Sequence, residues 1–351
     1  MPESEPNAQS LLLKAIAPDD LQKAITHIVG KPVGPIGDIE SQEPPAGCAG
    51  YVCPKEFIRV GWKAGTEQGK VSVVAKWFRG GGGEAYVYNL LAGRDDLAPR
   101  AYACRHRETN EEILILERLP FTGVNPNDPM AVAAYLRSLG RLNAVNPGNV
   151  LPVLNCREKI EYGLYKLPQL LEECRAQMHG EALTAEAANW PADEAVIRRG
   201  METCLGVIET CPLGLLHFDP APQNCGRRSE TDDFVFFDLH GALKGPVVAD
   251  IARWSAPADC TEAVRASRIE IWNESLRAAG GPVLSSEQVR IWSDAIQPVR
   301  ISGVLGWFRN RLHDGKADFT DDTEVAKAAF RGWTCAMLVC IRRCIMNKTA
   351  T

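Results

Sequence analysis

The chain has 351 residues, 45% of them apolar and 24% charged, and a formal net charge of -5. That length supports a two-lobed globular protein with a substantial core, and the acidic balance argues against a nucleic-acid binder driven by phosphate neutralisation. No run of about twenty apolar residues marks a membrane span, and the polar, acidic start "MPESEPNAQS" is unlike a signal peptide, so the cytoplasm is the expected location.

Residues 8 to 29 carry helical periodicity, which marks an N-terminal helical segment over residues 1–32. From residue 33 to 119 the texture is that of strands. "EFIRVGWKA" (56–64) and "KVSVVAKWF" (70–78) flank "GTEQG", a hairpin turn. "EAYVYNLLAG" (84–93) reads as a short helix stopped by Gly93. "RAYACRHR" and "EEILILERL" form a second hairpin around "ETNE". Residues 120–128 are a Pro- and Asn-rich linker.

Residues 129–351 are mainly helical, with helices expected over 129–145, 157–178, 192–210, 262–279, 284–313 and 322–347. One strand-like island interrupts them, from Leu213 through "HFDPAPQN" to "DFVFFDLHG" (233–241). The expected class is α+β: a small antiparallel sheet lobe with one helix, a linker, and a larger helical lobe with a β-hairpin bearing the polar loop. Twelve cysteines are scattered without a CxxC pair. They read as buried small hydrophobes, with a redox or metal role as the alternative.

The loop "HFDPAPQN" carries an aspartate and an asparagine five residues apart, in a stretch that two prolines keep from being a helix. Asp219 can accept a proton from a substrate hydroxyl. Asn224 offers a hard amide oxygen suited to Mg²⁺, and Asp238, fourteen residues on, ends an apolar strand where it could share that ion. Lys76 is a charge inside the apolar strand "VVAKWF" and demands a partner, for which Glu84 at the start of the next helix is the obvious choice. A lysine so held grips the α- and β-phosphates of a nucleotide. Taken singly these are ordinary residues: Asp and Asn of turns, an edge-strand lysine, a favourable acid at a helix N-terminus. Taken together, in order and on the right elements, they describe phosphoryl transfer.

The set resembles the aminoglycoside phosphotransferase family of the protein-kinase-like fold, small-molecule kinases. "LLHFDPAPQN" is similar to its catalytic loop, "FVFFDLHGALKGPVVADIARW" to its metal-binding strand and the segment after it, and "VVAKWFRGGGGEAYVYNLLA" to its lysine strand and helix. "EEILILERLP" resembles the strand entering the hinge and "LRSLGRLNAVNPG" the helix beyond. The resemblance spans residues 35 to 255. It implies ATP and Mg²⁺ as cofactors, Asp219 as the catalytic base, Asn224 and Asp238 as metal ligands, and Lys76, positioned by Glu84, on the α/β-phosphates. Backbone groups from Glu117 to Leu119 are expected on the adenine, His217 in a structural role, and Asp250 as a brace for the catalytic loop.

Two features depart from the family. Phe218 stands where it usually has glycine. The stretch "PPAGCAGYVC" (44–53), where Gly47 and Gly50 could let backbone N–H groups approach phosphate, is not a G-x-G-x-x-G loop. The expected function is transfer of the γ-phosphoryl group of ATP to a hydroxyl of a small molecule: aminoglycoside-, choline- or sugar-like. The alternatives are a catalytically silent nucleotide binder and, with little room for a peptide-docking segment after Asp238, a protein kinase. The acceptor region is expected in residues 155–200 and 258–345, whose acidic members include Glu158, Glu161, Glu172, Glu173, Glu262, Glu270 and Glu274. These give a slight edge to a cationic acceptor.

Overall fold

The computed structural model describes residues 13–44, 54–78, 83–161, 194–255 and 260–313. The chain divides into two compact units: Met1–Val132 with Ala221–Ala242, and Ala133–Pro220 with Leu243–Thr351.

The first unit opens with helix α1, Pro18–Val29, whose buried residues Leu21, Ala24, Ile25 and Ile28 recur at helical spacing. That stripe drives the helix onto the sheet. The helix expected over 8–29 is interrupted, since Ala17 is extended with ψ 138°. Pro18 cannot sit inside a helix and takes the first turn of a new one. Residues 8–12 lie outside the described part.

Five strands follow: β1 Ile39–Gln42, β2 Lys55–Ala64, β3 Glu67–Phe78, β4 Ala101–Arg105 and β5 Glu112–Glu117. They form one antiparallel sheet in the order β1-β2-β3-β5-β4, with helix α2, Glu84–Leu90, between β3 and β4 in sequence. The β2–β3 turn is tighter than expected. Ala64 pairs with Glu67, so only Gly65 and Thr66 remain in it, with Gly65 at φ +61°, a value glycine reaches without steric cost. Ile25 and Ile28 of α1 pack with Ile58, Val60, Val73 and Ile115 of the sheet in one buried cluster. A second, three-stranded sheet completes the unit, in which β6 (Phe121–Thr122), β8 (Cys225–Arg227) and β9 (Val235–Phe236) pair in that order.

The second unit is helical: α3 Pro129–Asn143, which begins in the first unit, α4 Glu194–Ile208, α5 Ala249–Trp254, α6 Glu262–Ala278 and α7 Ser286–His313. Tyr135, Leu136, Leu139 and Leu142 bury one face of α3. Gly140 lets α6 close on it, because a Cβ there would lie 2.5 Å from the Trp272 carbonyl oxygen. A buried ion pair, Arg265 to Asp294 at 2.8 Å, ties α6 to α7. The expected helix over 157–178 is described only to residue 161, and the one over 322–347 lies outside the described residues.

The polar loop is not the tip of a hairpin. Strand β7, Leu213–Leu216, pairs with β10, Leu243–Pro246, while β8 pairs with β9. "HFDPAPQN" therefore leaves one sheet and enters another, and the division between the units falls inside it, after Pro220.

Among the described residues no helix is long and apolar enough to cross a membrane. Cys104, Cys211 and Cys225 are buried, and burial pushes the Cys104 and Cys211 thiols up to about 12 and that of half-buried Cys156 up to about 11.

Candidate active site

In the first unit, β3 carries Lys76 into the interior, where it is 3% exposed. A buried ammonium is stable only if paired. Its Nζ donates to Glu84 Oε1 at 3.0 Å and Oε2 at 2.7 Å, and to Asp238 Oδ1 at 2.8 Å. Glu84 is fully buried, and its Oε1 also accepts the Leu239 N–H at 2.9 Å. Burial alone would lower the Lys76 pKa, but the charges of Glu84 and Asp238 outweigh it and the ammonium is held above its ordinary range. The pairing of Lys76 with Glu84 is the one the sequence pointed to. Asp238 as a second partner was not foreseen.

Asp238 follows β9 by two residues, at φ +63°, and leads into a 3-10 turn, Leu239–Gly241. Asp tolerates this left-handed geometry better than most residues. Burial would raise its carboxyl. A hydrogen bond from His240, the charges of Lys76 and Lys55 and the bond from Lys76 overcome that and hold it well below the usual carboxylate range. The bond to Asp238 in turn raises His240, whose Nδ1 lies 3.4 Å from Asp238 Oδ1. Tyr88, one helical turn beyond Glu84, is also buried. Desolvation, with the negative charges of Glu84 and Asp238, pushes its phenol well above the ordinary value.

Asn224 is buried and directly precedes β8. Its carbonyl accepts the Phe237 N–H at 3.1 Å, which prolongs the β8–β9 ladder and brings Asn224 next to the Asp238 backbone. One ionised carboxylate and one amide oxygen, leaving the other positions to phosphate and water, is a donor set that suits Mg²⁺. Among the described residues no group of three or more His, Cys, Asp or Glu forms a denser metal cage.

Glu117 ends β5. Its N–H donates to Arg100 O at 2.9 Å and the next one, of Arg118, to Ser72 O at 3.0 Å. The Glu117 carboxylate takes a two-point bond from Arg228, at 2.9 and 2.7 Å. Leu119, two residues on, is buried. Gly47 and Gly50 lie outside the described residues.

In the second unit the loop is anchored by Asp250 of α5. Its Oδ2 accepts the His217 N–H at 2.8 Å and its Oδ1 the Phe218 N–H at 3.0 Å, the bracing expected of it. Asn143 Nδ2 donates to Asp250 Oδ2 at 2.9 Å and to Leu215 O at 2.8 Å, while its Oδ1 accepts from Trp272 Nε1 at 2.9 Å. The Tyr135 hydroxyl and the Trp254 ring N–H both reach Pro220 O, at 2.9 and 3.0 Å. His217 is fully buried. Phe218, which stands where the catalytic loop that this one resembles has glycine, has φ +69°. A side chain thus occupies a conformation that glycine adopts freely. Asp219 is 52% exposed, and Arg253 Nη1 lies 2.5 Å from its Oδ1.

Arg228, Asn143, Tyr135 and Arg253 carry no local signal in the sequence for the contacts they make here. Trp254 and Trp272 are buried, and each also spends its ring N–H on the loop or on its anchor. Of the acidic residues flagged for the acceptor region, Glu158, Glu161, Glu262, Glu270 and Glu274 are exposed, and α6 buries Arg265, Ile269, Trp272 and Leu276 instead. Glu172 and Glu173 lie outside the described residues.

No protein-family model matches the chain, and no curated protein does. Solved structures do. An aminoglycoside phosphotransferase from Alicyclobacillus acidocaldarius aligns with a TM-score of 0.52 at 12% identity, over 97% of each chain. An ethanolamine kinase from Plasmodium vivax aligns with a TM-score of 0.50 at 15% identity, over 86% of this chain and 81% of that one. The chain has the protein-kinase-like fold of these proteins, as its motifs implied.

Proposed function

We propose that the chain is an ATP- and Mg²⁺-dependent phosphotransferase that moves the γ-phosphoryl group to a hydroxyl of a small molecule. The reading rests above all on Lys76, a buried ammonium held by a helix glutamate and by the aspartate after β9. That arrangement aims one fixed positive charge at phosphate oxygens. Asn224 and Asp238 would hold Mg²⁺, which when bound supplies positive charge against the phosphates. Asp219 orients the acceptor hydroxyl and takes its proton. Backbone groups of Glu117 to Leu119 bind the adenine, and those of Gly47 and Gly50 approach the phosphates. Glu84 keeps Lys76 in place, and Asp250 keeps the loop in place through the N–H groups of His217 and Phe218. Catalysis of this kind is positioning and electrostatics, with no covalent enzyme intermediate. An amino alcohol, choline-like or aminoglycoside, is the favoured acceptor class, and the names of the structural neighbours point the same way.

ATP consumption, measured with MgATP and a panel of aminoglycosides, choline-like amines, sugars and amino alcohols, tests this. One acceptor should stimulate turnover, and Asp219→Ala should lose about 10²- to 10⁴-fold of it. Absence of any nucleotide binding would overturn the assignment. A silent nucleotide binder is the second reading, favoured by the Arg253 guanidinium that already occupies Asp219. Nucleotide binding with no acceptor-stimulated turnover would select it.

A further inference from the structure

The β2–β3 register sets Lys55 directly opposite Lys76. The Trp77 N–H bonds to Pro54 O at 3.1 Å, flanking the pair in the pattern of a non-hydrogen-bonded one. In such pairs the two side chains share a face and approach most closely. Like charges so opposed repel. Lys76 has its charge answered by Glu84 and Asp238. Lys55 is partly buried, and its ammonium makes no ion pair or hydrogen bond among the described residues. Its charge is nonetheless felt at Asp238, across the same face.

The charge balance of this face gives the repulsion a use. Without Mg²⁺, Lys76 with its two carboxylates carries a net single negative charge. His240 adds a positive charge only when protonated. Lys55 adds a permanent cation on the side of the strand pair where Lys76 points, beside the charge Mg²⁺ would bring to Asp238. An apolar residue at position 55 would remove the repulsion and with it that balance.

We propose that Lys55 is a second polyphosphate-binding cation, paired across the β2–β3 ladder with Lys76. It rests on the reading above that this sheet grips a nucleotide, and it adds a residue that the resemblance does not supply. Lys76 is locked by its partners, whereas Lys55 keeps the freedom of a long side chain to follow the phosphate chain.

The test is calorimetric binding of inorganic tripolyphosphate and of MgATP to the full-length wild type, Lys55→Gln and Lys55→Arg. Lys55→Gln should weaken both ligands about tenfold, the size of one charge-assisted contact. Lys55→Arg should restore most of that, with melting midpoints of the unliganded proteins alike. Equal affinities in wild type and Lys55→Gln would overturn the role of Lys55 and leave the kinase reading untouched. A lowered midpoint for Lys55→Gln, with no rescue by arginine, would reveal a structural lysine and likewise overturn it. Lys55-dependent binding of tripolyphosphate by a wild type that ignores MgATP would sustain Lys55 and sink the nucleotide reading. A wild type that binds neither would sink both.

Discussion

The two aspartates of the proposed chemistry live in opposite environments. Asp238 is partly buried, bonded to a buried lysine and a histidine, and held ionised by them. Asp219 is half exposed and touches a guanidinium that is itself 38% exposed. The first belongs to a group whose members cannot move without stranding a charge in the interior. The second sits on a rigidly anchored backbone, and its carboxylate is open to solvent. Gripping a ligand common to every cycle calls for the former, and accepting a varied hydroxyl for the latter.

Mutation separates them. Lys76→Met should have the largest effect on stability, about 3–5 kcal/mol in a urea titration, because Glu84 would be left buried and unpaired. The pH dependence follows from the directions of the two shifts. The raised Lys76 contributes stability in full below its unfolded value, about 10.4, and loses it as pH rises through the folded one. The lowered Asp238 contributes in full above about 3.9 and loses it as pH falls towards its folded value. The gap between wild type and Lys76→Met should therefore be full on the alkaline side of neutrality and close as pH rises above about 10; it should also narrow on acidification, because a buried carboxylate left without its cation takes up a proton. A gap that stays constant as pH rises from about 9 to 12 would refute the buried pairing. Arg253→Gln should change stability by no more than about 0.5 kcal/mol, as exposed pairs do, yet shift acceptor kinetics several-fold by taking the guanidinium away from Asp219. If stability falls by as much as for Lys76→Met, the contrast between the two sites is wrong. Phe218 bears on stability alone, since its left-handed backbone costs a side chain about 1–2 kcal/mol. Phe218→Gly should be more stable than Phe218→Ala by about 1 kcal/mol in thermal melts, since both lose the ring but only glycine relieves the strain.

What was legible in the sequence was local. The alternating strands 56–64 and 70–78 and the short helix at 84 declare themselves by period, and Lys76 stands out as a charge among apolar neighbours. The pairing of β7 with β10 was not legible, because no nearby residue signals which distant strand will be its neighbour. The same holds for the supports of the site. Asn143 meets Asp250 across 107 positions and Arg228 meets Glu117 across 111. An asparagine at the end of a helix, or an arginine after a short strand, reads the same whether it anchors a loop or faces water. Phe218 is the opposite case: its oddity was visible in the sequence, and the structure supplies the cause, a backbone angle that glycine would have met at no cost.

The buried thiols have a consequence for handling the protein. With values near 12, Cys104 and Cys211 expose only about one thiolate in 10⁵ at pH 7. An ordinary cysteine near 8.5 exposes a few per cent. Alkylating reagents and peroxide act on thiolates, so while the chain stays closed these sulfurs are chemically mute. The rate at which they are modified is then a clock for opening of the structure around them.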